Sequence, residues 1–259
     1  MRISVLTQNQ NRYGLKLLNL LQWNEIPVEQ VVVFTDLWRL RLRWFRRATR
    51  RIGWVGAATY VAAWKLRSPF ARQGFIWRGR HLERDYHRLA RRVEYVPAPR
   101  STATAQALQS AEPDLCLLAQ SGIVPASVLV IPRLAALNAH PGILPEYRGV
   151  DTELWAIYED RFDYVGCTLH AVDEGIDTGP VLEVRPYHWV GDETLDRLDW
   201  RLNETSLDLL AGACREQWPA YLKKAIPQGD GRLYYLLPPR LRPEVERKLE
   251  LFRSTRAPR

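Results

Sequence analysis

The chain has 259 residues, 46% apolar and 25% charged, enough for one α/β domain or two small ones around a full core. That balance excludes a disordered tail protein and a collagen-like repeat, and no run of eighteen apolar residues exists to form a conventional membrane-spanning helix. The net charge of +8 is concentrated: residues 36–95 hold 16 Lys+Arg against 4 Asp+Glu, leaving 21 of the 37 basic and 25 of the 29 acidic residues to the rest, so one segment carries the positive field.

The opening Ile3–Thr7 reads as a strand, Gln8–Arg12 as a polar loop, and the apolar series Leu15, Leu17, Leu18, Leu20, Leu21 as a helix. The five-residue apolar stretch is too short for a secretory signal, so the chain is expected to be cytoplasmic. Val31–Phe34 is a second strand, and a βαβ start predicts a parallel sheet with right-handed crossovers. About sixty unusual residues follow, LWRLRLRWFRRATRR, IGWVGAATYVAAWKL and RSPFARQGFIWRGRH. They lack strand-pair turn signals and read as a helical insertion with breaks at Gly53, Gly56 and Pro69. The α/β pattern resumes with strand Val93–Val96, a helix near Thr102–Ser110, and strands Leu115–Ala119, Leu134–Asn138, Gly166–Ala171 and Val181–Val184. A long amphipathic helix spans about Glu193–Glu216, followed by a Pro- and Arg-rich tail with one helical piece near Pro243–Phe252. Cys116, Cys167 and Cys214 are odd in number and widely spaced, which suits small buried residues in a reducing compartment.

Unusual residues cluster between Leu137 and Pro180. Asn138 and His140 leave the carboxyl end of a buried strand, where open α/β sheets bind ligands. Pro141, Gly142, Pro145 and Gly149 make the next loop irregular and stiff. Further on, His170, Asp173 and Asp177 lie in HAVDEGIDTGP, with Gly175 and Gly179 implying a tight loop around Asp177. No Ser or Cys sits in a nucleophile-elbow context, and the spacing of His140, His170 and Asp177 matches no standard zinc pattern, so no metal is expected. A third reading is acyl transfer without a covalent intermediate: Asn138 and His140 donate to a developing oxyanion while Asp177 manages charge and protons.

The stretch LNAHPGILPEYRGVDTELWAI…GCTLHAVDEGIDTGPVL resembles the catalytic core of the 10-formyltetrahydrofolate-dependent formyltransferases, through Asn138, His140, Pro141, Leu144, Pro145, Gly149, Thr168, His170, Asp177 and Gly179. Gly142 departs from the pattern, since many members carry Ser there. The resemblance implies a Rossmann-like, mostly parallel α/β sheet, with a catalytic domain over residues 1–217, the basic helical insertion at 36–92, and a C-terminal extension at 218–259. It implies formyl transfer from 10-formyltetrahydrofolate to a primary amine, with Asn138 and His140 stabilising a tetrahedral oxyanion. Asp177 then keeps His140 charged and assists proton transfer. It also implies folate binding by Gln120, Ser121, Gly122, Ile123 and Val124 on one loop and Val172, Asp173 and Gly175 on another.

The acceptor is read from what surrounds the first strand. Thr7–Arg12 lacks the Gly- and Ser-rich turn with which glycinamide ribonucleotide enzymes hold phosphate, which speaks against purine synthesis. The forty or so residues after Trp218 are fewer than the barrel-like domain of methionyl-tRNA formyltransferases. Arg148-Gly149 through Trp155 is more similar to the amino-sugar enzymes. A small-molecule amine, such as a nucleotide-linked amino sugar, is therefore expected, held by Asn9, Asn11, Arg12, Arg148 and Trp155. A methionyl-tRNA-type enzyme and a non-catalytic folate-binding relative are the alternatives. The basic insert admits three readings: a helical pair packed on the sheet through its aromatics, peripheral contact with an anionic membrane through residues 38–54, or contact with nucleic-acid phosphates.

Overall fold

Strands covered on both faces read as unbroken apolar runs, and three such runs form the middle of this fold. The computed structural model describes residues 1–66 and 76–256; between 37 and 66 it describes the side chains of residues 42, 45, 46 and 48–59. In chain order the first half holds β1 (Ile3–Gln8), α1 (Arg12–Trp23), β2 (Gln30–Phe34), α2 (Leu37–Leu66), β3 (Ile76–Trp77), β4 (Arg80–His81), α3 (Tyr86–Leu89), β5 (Arg92–Val96) and α4 (Thr102–Ala111). The second half holds β6 (Leu115–Ala119), α5 (Ala126–Leu129), β7 (Ala135–His140), β8 (Tyr147–Gly149), α6 (Thr152–Tyr158), β9 (Gly166–Ala171), β10 (Val181–Pro186), α7 (Leu195–Ala213), β11 (Arg232–Tyr234) and α8 (Arg242–Arg256).

Seven strands form one sheet in the order β10-β9-β7-β6-β1-β2-β5. The five strands from β7 to β5 are parallel, whereas β9 runs antiparallel to both β7 and β10. Alternation along each strand divides the core. Ile3, Val5, Val31, Val33, Leu115 and Leu117 face the helices α1 and α7, while Leu6, Val32, Phe34, Cys116 and Leu118 face α4 and α5. Burying each such side chain contributes roughly 1.5–3 kcal/mol. The three cysteines are free and buried; burial pushes the Cys167 and Cys214 thiols up to about 12, leaving them poor nucleophiles at neutral pH.

The insertion is smaller than its sequence suggests. Gly53 breaks α2 with φ 74° and ψ 169°, but Gly56 continues the helix, and Pro69 lies outside the described residues. Residues 76–89 are not insertion at all but belong to the main body. Arg78 and Gly79 both take positive φ, 47° and 74°, and form the two-residue turn of a hairpin between β3 and β4. The Trp77 indole N–H donates to Glu204 on α7, whose carboxylate also meets Lys16 and Arg78. Trp77 stacks on Trp23 at 5.4 Å, and Leu82, Tyr86 and Leu89 complete the core.

The C-terminal residues also fold back onto this body. β11 pairs in parallel with β8, and the rings of Tyr147 and Tyr234 stack at 4.9 Å with both hydroxyls donating to Glu159. Phe252 of α8 lies flat on Phe162 at 3.9 Å, and Lys248 Nζ donates to the Tyr158 carbonyl. Gly149 sits at φ 105°, and a side chain there would run into the Tyr234 carbonyl, so glycine is required for β8 and β11 to meet.

Candidate active site

The strand order reverses between β1 and β6, and the carboxyl ends of the parallel strands there form the crevice that open α/β sheets use for ligands. Gln8 Nε2 donates to the Gln120 carbonyl at 2.8 Å, and Asn11 Nδ2 donates to Gln120 Oε1 at 3.0 Å. The N-terminal loop and the loop after β6 are thereby joined. Asn11 also caps α1 by accepting from the Gly14 N–H, and the Asn9 N–H donates to the Phe34 carbonyl. Arg12 opens α1.

Two strands from β1 across the sheet, Asn138 and His140 occupy alternate positions of β7, and β9 sets Asn138 opposite His170. Asn138 Nδ2 lies 3.2 Å from His170 Nε2. The Ala171 carbonyl, 3.0 Å from His170 Nδ1, can only accept, so Nδ1 carries a proton, while Nε2 faces both the Asn138 amide and the Asp177 carboxylate. Asp177 bridges both histidines, with Oδ1 3.5 Å from His170 Nε2 and Oδ2 3.6 Å from His140 Nδ1. The Gly149 N–H donates to the same Oδ2 at 3.0 Å. His140 Nε2 donates to the Tyr147 carbonyl at 2.8 Å, which leaves Nδ1 as the atom that gains or loses a proton.

These contacts correct one expectation about charge. His140 is 3% exposed, and its burial pulls the imidazole below its ordinary value, outweighing the opposing pull of Asp177. His140 is therefore neutral, not cationic, at neutral pH. For Asp177, burial pushes the carboxyl up, but His140, His170 and the Gly149 N–H together bring it down to about 2. The pair is thus a neutral imidazole beside a carboxylate, with capacity for one more proton. Nor does His140 present a free donor, because Tyr147 and Asp177 face its two nitrogens; Asn138 keeps one amide N–H to spare.

The loops that hold these groups are tied from several sides. Thr168 donates to the Gly142 carbonyl and accepts from the Leu144 N–H, while Thr152 donates to the Pro141 carbonyl. A side chain on Gly142 would come within 2.6 Å of His140 Nε2 and 2.8 Å of the Tyr147 carbonyl and Thr152; the packing here has no room for a serine. Asp177 takes positive φ, 52°, and any side chain at Gly179 would overlap the Ala171 carbonyl, the tight loop expected from the sequence. Gln228 Nε2 donates to the Asp177 and Gly179 carbonyls. Sequence reasoning missed this clamp, since PQGDG shows only a turn and gives no sign of its distant partner.

The remaining expected residues fall into two groups. Val124 and Val172 pack on the same apolar cluster, so the loops 120–125 and 172–177 both border it. Ser121 is buried, Gly122 takes φ 77° with open space at its Cβ position, and Ile123 is exposed. Among the described residues, no hydrogen bond reaches the N–H groups of Gly122, Ile123 and Val124. Asp173 accepts from the Gly175 N–H and the Thr178 hydroxyl, shaping its own loop. Arg148 and Trp155 instead serve the C-terminal segment: Arg148 Nη2 donates to the Gly229 carbonyl at 2.7 Å, and Trp155 Nε1 to the Tyr235 carbonyl at 2.6 Å.

With this geometry in view, comparison with known proteins is decisive for the family. Residues 80–213, just over half of the chain, match the model of the Formyl transferase family. The chain belongs to that family. A methionyl-tRNA formyltransferase of Myxococcus xanthus (strain DK1622) is 32% identical over 170 residues, covering 59% of this chain and 52% of the relative. The chain spans about half or less of the length of the curated relatives it matches. Among solved structures, glycinamide ribonucleotide transformylase 1 from Symbiobacterium toebii superposes with a TM-score of 0.55 at 20% identity, over 89% of this chain and 92% of that one. An N-formyltransferase from Helicobacter canadensis, in complex with folinic acid and dTDP-3-aminofucose, has a TM-score of 0.50 at 14% identity, over 89% and 70%. These structures share the fold of the formyl transferase sheet and its flanking helices.

The charge arrangement predicts an acid-sensitive fold. Both folded-state values lie below the ordinary ones, so both groups stabilise the folded chain at neutral pH. That contribution is lost on acidification, first below 6.5 as His140 takes a proton and then from about 4 towards 2 as Asp177 does. Urea unfolding between pH 7 and 2.5 should show both losses, and Asp177→Asn should flatten the lower one; an unchanged acid limb in that variant would refute the assignment. Gln228→Ala should speed amide hydrogen exchange across residues 173–179 while leaving β1 and β6 protected. Unchanged exchange in the loop would show that the clamp does not hold it.

Proposed function

We propose that this chain transfers a formyl group from 10-formyltetrahydrofolate to a primary amine. The observation that carries this reading is the connected set Asn138, His170, Asp177 and His140 at the carboxyl end of β7. A module that only bound folate would have no use for a buried carboxylate held between two histidines beside a free amide N–H, which argues against the non-catalytic alternative.

The folate fits what the residues offer. A planar heterocycle with a hydrogen-bonding edge needs backbone donors beside an apolar wall; the N–H groups of Gly122, Ile123 and Val124 supply the first, and Ile123 and Val172 the second. When bound, it supplies the one-carbon unit at the formyl oxidation level. The chain's own residues do the rest. Asn138, steadied by His170, aims its remaining N–H at the oxygen on which negative charge develops. His140 Nδ1, neutral and backed by the Asp177 carboxylate, would receive the proton that the attacking amine must lose, the pair becoming imidazolium and carboxylate, and would return it to the donor nitrogen as that nitrogen's bond to the formyl carbon breaks. The Tyr147 carbonyl and Gly149 N–H keep His140 and Asp177 in register for that exchange.

For the acceptor we favour a small amine, such as an amino sugar on a nucleotide, over a transfer RNA. What supports this is the fold of residues 218–256, which return to the catalytic body through β11, Trp155 and α8 and pack beside the site. The 32% identity to a methionyl-tRNA enzyme favours the second reading, and an acceptor panel containing both amino sugars and methionyl-tRNA separates them.

Replacing Asn138 by Ala, His140 by Ala or Asp177 by Asn should each lower formyl transfer by roughly a hundred- to thousand-fold, about 3–4 kcal/mol of barrier, with the thermal transition within a few degrees of wild type. Wild-type-like rates would sink the mechanism. The stable analogue 5-formyltetrahydrofolate at a hundred times its dissociation constant should add about 2.7 kcal/mol of stability, or roughly 5–10 °C in Tm for a chain of this size. No shift at millimolar analogue would remove folate from the site.

A further inference from the structure

The helix α2 stands outside everything described so far. It carries eight Lys+Arg and no Asp or Glu, and these are unevenly placed: seven arginines lie between residues 39 and 51, while residues 52–64 contain no charged residue. The break at Gly53 separates the basic half from the uncharged one. Of its described side chains, Phe45, Ala48, Ile52 and Ala57 pack with Leu236 of the C-terminal segment, and Arg51 lies over the Tyr235 ring at 3.9 Å. The helix thus has a docked side. Away from it, Leu42, Arg46 and Arg50, spaced four apart on one helical face, are exposed, and at the break Trp54 is 70% and Val55 69% exposed.

An exposed tryptophan and valine beside a stripe of arginines is costly in water and needs a partner that is apolar and anionic at once. We infer that α2 is an interfacial element that seats the protein on the surface of an anionic phospholipid bilayer, with Trp54, Val55 and Leu42 entering the acyl boundary and Arg46 and Arg50 meeting the headgroup phosphates. Two features favour lipid over nucleic acid. Phosphate pairing accounts for the arginines, but Val55 and Leu42 have no aromatic face for a base to stack on. The uncharged half, thirteen residues long, suits a helix lying in the interface plane. No helix among the described residues is long and apolar enough to cross a membrane, so the attachment is peripheral and reversible. This inference is independent of the proposed chemistry, since α2 shares no residue with the site.

The test is co-sedimentation of the whole chain with vesicles of phosphatidylglycerol in phosphatidylcholine, and of phosphatidylcholine alone, at low and high salt. Binding should require the anionic lipid and weaken at high salt, because surface attraction acts only within a Debye length. Each arginine near the surface contributes about fivefold. Arg46→Glu with Arg50→Glu should therefore lower the partition coefficient at least 25-fold, and Trp54→Ser roughly tenfold, with far-ultraviolet circular dichroism unchanged. Should either variant misfold, the wild-type dependence on lipid charge and salt decides the matter alone. Failure to bind anionic vesicles at low salt would overturn the inference, as would equal partition onto both lipids. Retention of a single-stranded oligonucleotide in place of vesicle binding would reassign the surface to nucleic acid.

Discussion

A carboxylate taken almost out of water must be met by donors, or it will hold a proton and lose its charge. Asp177 is such a group, and meeting it organises the structure around it. The groups that face it come from places distant in sequence: the Gly149 N–H of β8 donates to it, and the rings of His140 from β7 and His170 from β9 lie 3.6 and 3.5 Å away. Each has to arrive with a fixed orientation, which is why β9 runs antiparallel to β7 and sets His170 directly across from Asn138. It is also why the loop between His140 and Gly149 is pinned by the hydroxyls of Thr168 and Thr152. The same burial that makes the carboxylate demanding makes His140 neutral, so the site combines a full negative charge with an unprotonated ring nitrogen. Proton uptake by such a pair replaces an anion with an internal ion pair, a change that a water-exposed histidine beside a carboxylate would not undergo so sharply.

The C-terminal residues are as much a part of this arrangement as the central strands. β11 lies beside β8, Tyr234 and Tyr147 share the Glu159 carboxylate, and Gln228 holds the carbonyls flanking Asp177. A boundary near residue 217 therefore cuts through contacts that hold the site. At the other side of the sheet, the hairpin around Arg78 and Gly79 behaves likewise, locked to α7 by Glu204. The inserted element is α2 with the residues immediately after it.

Much of this was legible in the amino-acid order. The central strands are covered on both faces and appear as short apolar runs, so Leu115–Ala119 is found to the residue. Asn138, His140 and Asp177 stand out because polar residues at a buried strand end and a glycine-bracketed loop are rare. What escaped has physical reasons. The hairpin between β3 and β4 is two residues per strand and puts an arginine in the left-handed region, where Asn or Gly is the usual signal. β11 is three residues long, too short for alternation to register. Arg148 and Trp155 looked like substrate contacts from local pattern alone; the structure shows each also donating to a carbonyl about eighty residues away, a relation no local window contains. The neutrality of His140 was likewise hidden, because a neighbouring carboxylate can be read from sequence whereas the depth of burial that outweighs it cannot.

One feature of the C-terminal segment has a mechanical side. Gln228 grips the loop of Asp177, and eight residues later Leu236 sits in the apolar contact that seats α2, with Tyr235 under Arg51 between them. Within that span Arg232–Tyr234 are held as a strand against β8. The helix and the catalytic loop are thus anchored to the same short stretch, Gln228 to Leu236, through side-chain contacts at its two ends. The inserted helix and the loop that carries the Asp177 carboxylate are in this sense held from the two ends of one stretch of chain.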